Sequence, residues 1–144
     1  MRQQVSESAS QRVSGRTRHF RDLVAWQKSM RLAREIYRVT ATFPREEQFG
    51  LIAQMRRCSV SIPSNIAEGH GRLTDKGLRV FIAQARGSVF ELETQMQLAS
   101  DLGYCAADAA NALIGDCNEV ARILNGLLRV LEDNSGAAGS SLTS

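Results

Sequence analysis

Only two prolines occur in this chain, aromatic side chains make up 6% of it, and 43% of its residues are hydrophobic. That balance suits an all-helical domain. The three cysteines, Cys58, Cys105 and Cys117, are an odd number and form no C-x-x-C pair, which excludes a disulfide framework or a zinc site. They read as reduced, mostly buried thiols of a cytoplasmic protein. No run of residues approaches the ~18 apolar positions of a membrane span, and the beginning of the chain lacks the apolar core of a secretion signal. At 144 residues the chain holds one domain's worth of core and needs no metal or disulfide staple.

What is present is charge, unevenly placed. Met1 to Arg21 carry five arginines against one glutamate. Asp22 to Arg86 carry eleven Lys/Arg against six Asp/Glu, and Gly87 to Asp133 carry two against eight. The net charge of +3 therefore conceals a basic first half and an acidic second half. Residues 1–19, rich in Ser, Gln and Arg, cannot offset the entropy of ordering and are expected to form a disordered basic tail. Such a tail either binds phosphate backbones without sequence preference or serves only as a solubilising arm. Residues 134–144, rich in Gly, Ala and Ser, are expected to form a second disordered tail.

The most informative stretch is Phe49 to Arg72, FGLIAQMRRCSVSIPSNIAEGHGR. At helical spacing Gln54, Arg57, Ser61, Asn65, Glu68 and Arg72 share one narrow stripe, beside an apolar stripe of Leu51, Met55, Cys58, Ile62 and Ile66. Most of the remaining circumference is apolar or small, so burial on more than one side is expected. Pro63 lacks an N–H and presses on the carbonyl of Ser59, which predicts a kink costing roughly 3 kcal/mol. Ser59 and Ser61 are placed to bond the freed carbonyls. Gln54, Ser61, Pro63, Asn65 and Glu68 thus read as a structural seam. Glu68 and Arg72 sit at ion-pair spacing, and the charged groups admit two readings: a structural salt bridge, or arginines facing a phosphate.

The motif running from Phe43 to Arg72, FP-x-x-E-x-FGL-x-x-Q-x-RR-x-x-x-SIP-x-NIAEG-x-GR, resembles that of the small four-helix-bundle proteins encoded in intervening sequences of bacterial 23S ribosomal RNA genes. The accessory protein of diversity-generating retroelements is a more distant relative. Trp26 to Thr40, Phe81 to Glu93 and Leu102 to Tyr104 extend the likeness over roughly residues 20–132. The resemblance implies a four-helix bundle assembled as a pentameric ring around a basic channel. It leaves function open, since fold does not fix function.

Along the rest of the chain, a first helix is predicted from an Asp22 N-cap to Thr42, with a seam of Leu23, Trp26, Met30, Ala33, Tyr37 and Thr40. Trp26 reads as core, and Arg31, Arg34 and Arg38 form a separate basic stripe. His70, between two glycines, has no second ligand at metal spacing. A third helix is predicted from a Thr74 N-cap to near Asp101, with a close crossing at Gly87-Ser88, where glycine costs about 1 kcal/mol in propensity. Glu91 and Glu93 lie two apart, on different faces. A fourth helix is predicted from Asp108 to Glu132, its seam Leu113, Cys117, Val120, Leu124, Leu127 and Leu131, with Ile114, Ile123 and Leu128 widening the apolar surface toward another subunit.

These elements predict an all-α, up-down-up-down antiparallel bundle over residues 20–133 with a kinked second helix, assembled as a cyclic homo-oligomer because its basic and acidic halves attract. The function expected is non-enzymatic binding of RNA or DNA, most naturally structured RNA, through Arg31, Arg34, Arg38, Arg56, Arg57 and Arg72. A scaffold that binds a partner protein is the alternative. No nucleophile-base pair, metal cluster or phosphate-cradling loop is legible, so neither catalysis nor a cofactor is expected.

Overall fold

A computed structural model describes residues 19–143, with side chains described as far as Asn134. The expected tail over residues 1–19 therefore lies outside the described residues apart from His19. Four helices, α1 (Val24–Thr40), α2 (Leu51–His70), α3 (Asp75–Asp101) and α4 (Ala107–Thr143), account for nearly all of the described chain, and no strand occurs in it. Each packs against two neighbours, α1 on α2, α2 on α3, α3 on α4 and α4 back on α1.

The core is built as the apolar spacing dictates. Met55, Ile62 and Ile66 of α2, Ile82, Val89, Leu92 and Met96 of α3, and Cys117, Val120 and Leu124 of α4 are almost wholly enclosed. The apolar stripe expected on α2 is buried throughout. Helix α1 departs from expectation. Its buried residues are Ala25, Ser29, Leu32, Ala33, Ile36 and Thr40, while Trp26 and Met30 are half-buried and Tyr37 is 44% exposed. Two stripes of the right period coexist on this helix, and the interior takes the narrower side chains because small Ala25 and Ser29 let the helix approach its neighbours closely.

The helix ends follow local chemistry. The Thr74 hydroxyl accepts the Gly77 N–H at 3.1 Å, so the expected N-cap of α3 is present. Helix α3 ends in a Schellman turn, with Tyr104 N–H on the Ala99 carbonyl, Gly103 N–H on the Ser100 carbonyl, and Gly103 at φ 77°. Asp22 is not an N-cap: Phe20–Asp22 forms a 3-10 turn and α1 begins after Leu23 without a side-chain cap. The turn is tied down by Phe20, whose ring meets Trp26 at 5.5 Å and His70 at 6.5 Å. That contact sets the start of α1 beside the end of α2. Phe43 meets Tyr104 at 5.6 Å, setting the end of α1 beside the end of α3.

Three further expectations are refined. Helix α4 does not stop at Glu132 but continues to Thr143, because neither a proline nor a left-handed glycine interrupts 134–143. Helices α2 and α3 do approach closely at Ser88, whose carbonyl lies 3.0 Å from Cys58 Sγ and whose hydroxyl lies 2.7 Å from that of Ser61, but Gly87 itself faces open space. A further close approach is at Gly69, where an added Cβ would lie 2.8 Å from Phe81 Cβ. The surplus apolar residues of α4 are largely absorbed within the subunit, since Leu128 is buried and Ile114 and Ile123 pack on the core. The apolar groups that remain outside include Val80, Phe90 and Leu98 of α3.

Candidate nucleic-acid interface

Helix α2 runs unbroken through the buried Pro63. The serine hydroxyls bond carbonyls that precede the freed one: Ser59 donates to the Arg56 carbonyl at 2.9 Å and Ser61 to the Cys58 carbonyl at 2.7 Å, not to that of Ser59. Ser61 also lies 2.7 Å from the Ser88 hydroxyl of α3, and the Asn65 amide donates to the Ser61 carbonyl at 2.8 Å. The polar stripe of α2 is therefore in part an interhelical joint, and it faces α3 rather than α1.

This placement divides the six candidate arginines. Arg31, Arg34 and Arg38, at i, i+3 and i+7, form an exposed ridge along α1. Arg38 pairs with Glu35 one turn back, a pair open to water. Arg34 has no ion pair among the described residues. Arg56 lies at the far end of this ridge but is occupied: its Nε donates to Thr40 Oγ1 at 2.9 Å, an Nη donates to the Tyr37 carbonyl at 3.2 Å, and its guanidinium sits 4.7 Å from the Tyr37 ring centre. It thereby satisfies the open carboxyl end of α1. Arg57, about 100° round α2 from Arg56, is exposed with no ion pair among the described residues and points away from the α1 ridge. Arg72 lies 3.8 Å from Glu68 and stacks on Phe81 at 4.5 Å, so the structural salt-bridge reading describes its geometry. Half of the expected set, then, converges on α1.

The ridge separates two grooves. Between α1 and α4 runs a charged one of about 610 Å³, where Lys28, Arg31 and Arg38 face Glu35, Asp116 and Glu119. Lys28 and Glu119 pair directly across it, and the Lys28 ammonium holds the Glu119 carboxyl below the usual carboxylate range. Between α1 and α2 runs an apolar groove of about 570 Å³ lined by Trp26, Met30, Tyr37, Val60, Pro63 and Ala67, with Arg34 and Arg38 on its rim. The sequence reading placed Trp26 and Tyr37 in the core; Trp26 does pack against it with one side while lining this groove, and Tyr37 does not, so the groove was missed. Their coexistence with a second, narrower apolar stripe on α1 was the available signal.

Elsewhere the chemistry is quiet. Burial pushes the Cys58 thiol up to about 12, with Glu91 adding to it, and pushes Cys117 up to about 12, with Glu93 adding to it. Glu91 and Glu93 thus act on opposite sides of α3, as their spacing implies. Among the described residues no three His, Cys, Asp or Glu side chains are grouped to hold a metal ion. Nor is any described helix long and apolar enough to cross a membrane.

The family described as "23S rRNA-intervening sequence protein" matches this chain over residues 21–126. The chain belongs to that family. No curated protein matches it. Among solved structures, it is similar to a protein of unknown function from the S23 ribosomal protein family of Bacteroides thetaiotaomicron, with a TM-score of 0.69 at 20% identity. The alignment covers 74% of this chain and 96% of that one. At such identity the likeness speaks for the fold of this 23S rRNA-intervening sequence family member, which agrees with the four-helix arrangement described above.

Proposed function

We propose that this protein is a non-enzymatic, nucleic-acid-binding oligomer of the cytoplasm that acts on structured RNA through the exposed ridge of α1. The single observation that carries this reading is the ridge itself: Arg31, Arg34 and Arg38 stand in one solvent-facing row, as phosphate contacts require. Arg57 is a peripheral contact, whereas Arg56 and Arg72 act within the fold. The family's association with a ribosomal RNA gene points to the same class of ligand. The contacts of Phe20 with His70 and of Phe43 with Tyr104 favour an up-down-up-down antiparallel bundle. Its basic first half and acidic second half favour a head-to-tail cyclic ring, and the resemblance of its motif favours five subunits. Repetition around an axis turns three arginines per subunit into a multivalent phosphate surface.

Anisotropy of a labelled RNA hairpin, titrated with protein lacking its first nineteen residues, tests the proposal. Binding should weaken steeply with salt, and each of Arg31→Ala, Arg34→Ala and Arg38→Ala should lower the slope of log K against log salt by about 1. Unchanged slopes in all three variants would remove the ridge from the interface. A second reading, a scaffold for a protein partner, is favoured by the exposed Val80, Phe90 and Leu98 on α3. In that case a pulldown should return a protein that survives nuclease treatment.

A further inference from the structure

We propose that the groove between α1 and α2 receives an unpaired base of a single-stranded RNA segment, whose flanking phosphates lie on Arg34 and Arg38. This rests on the nucleic-acid reading above and narrows it from structured RNA in general to the unpaired parts of such an RNA.

The two grooves beside the ridge differ in what they admit. The α1–α4 groove sets Lys28, Arg31 and Arg38 against Glu35, Asp116 and Glu119, so its charges largely satisfy one another and leave little net attraction for a phosphate chain entering it. The α1–α2 groove has an apolar floor with aromatic rings from Trp26 and Tyr37, and the charged groups that line it are Arg34 and Arg38. A flat apolar body with a negative charge on its rim is what such a site complements, and a nucleobase on its sugar-phosphate has that form. The α1–α2 groove is of the size of small-ligand sites.

Tyr37 is prepared for stacking. It remains 44% exposed while the Arg56 guanidinium lies 4.7 Å from its ring centre. Arg56 is itself fixed by its hydrogen bonds to Thr40 Oγ1 and the Tyr37 carbonyl, so the ring's position is largely set before a base arrives. Little side-chain entropy is then lost on binding. Duplex RNA keeps its bases stacked and paired, and its sugar-phosphate surface has no group to fill an apolar groove, so loops, bulges and ends are the segments that fit. Arg38 gives up only an exposed pair with Glu35 to reach a phosphate.

Trp26 is the only tryptophan in the chain and lines the groove, which makes its fluorescence a direct reporter. The full chain is titrated with a short 5′-labelled oligouridylate and with an abasic strand of the same length, following label anisotropy and Trp26 emission together. The expected result is anisotropy change with both strands, Trp26 quenching with the oligouridylate alone, and affinity about tenfold weaker for the abasic strand. Tyr37→Leu should remove most of that tenfold difference between the two strands. Equal affinities for the two strands without quenching would overturn the groove assignment and leave the arginine ridge standing. No anisotropy change with either strand or with the hairpin would overturn both. If Val60→Glu reduces the oligomer's mass in sedimentation, and RNA leaves Trp26 emission unaltered, the groove is a contact between subunits and the assignment fails.

Discussion

Gly69 of α2 and Phe81 of α3 meet so closely that a β-carbon placed on Gly69 would fall 2.8 Å from Phe81 Cβ and 3.2 Å from Leu78 Cδ1. The Cβ of Phe81 is fixed to the α3 backbone, so the two helices would have to part to make room. Gly69→Ala should therefore lower unfolding free energy by about 1–3 kcal/mol despite its better helix propensity. Gly87→Ala faces open space and should raise stability by about 0.5–1 kcal/mol. Urea denaturation of the two variants beside the parent checks both signs.

Arg56 and Arg57 are neighbours in sequence with opposite roles. Arg56→Ala removes two hydrogen bonds at the end of α1 and the cation over Tyr37, and should cost about 1–3 kcal/mol. Arg57→Ala should stay within about 0.5 kcal/mol of the parent. Thermal melts distinguish the two, and equal losses would mean that Arg56 does not hold the end of α1.

The buried thiols make stability fall in alkali. A thiol whose folded value is raised is favoured in the folded state while protonated. The contribution of Cys58 and Cys117 is therefore fully present below the ordinary value of 9.0 and is lost as pH rises from there toward about 12. Replacing both with serine or alanine should flatten the alkaline limb of a stability-against-pH curve. Helices α2 and α4 are diagonal, with no backbone approach within 8 Å, so these two cysteines cannot form a disulfide. Alkylation of the folded protein should mark the half-exposed Cys105 first.

The Lys28 and Glu119 pair ties α1 to α4 from the surface of the charged groove. The Glu119 carboxyl is lowered, so its stabilising effect is present above the ordinary carboxylate value and disappears as pH falls through the lowered one. Glu119→Gln should therefore flatten the acid limb of the same curve, and the difference from the parent should shrink with added salt because the pair is exposed. A double-mutant cycle with Lys28→Ala measures the coupling, and a value of zero at low salt would show that the pair contributes nothing.

Much of the fold was legible because apolar spacing is a local property. The stripe Leu51, Met55, Cys58, Ile62 and Ile66, the Thr74 cap and the turn at Leu102-Gly103-Tyr104 depend only on residues a few positions apart. The site was legible as an arginine row on α1 and no further. Helix α1 carries two stripes that satisfy the same period, and nothing local decides whether Leu32 and Ile36 or Trp26 and Tyr37 turn inward.

The sequence by itself determined four helices, the cap and closing turn of α3 and the concentration of basic charge in the first half, since propensity, capping and charge are written residue by residue. Only the tertiary structure decided which arginines are engaged within the fold and which stand clear of it. It placed Arg56 on the carbonyl end of α1 and Arg72 on Phe81, left Arg34 at the mouth of an apolar groove, and brought Gly69, but not Gly87, into the contact between α2 and α3. The physical reason is that a helix's rotation about its own axis is fixed by how its side chains interlock with those of its neighbours.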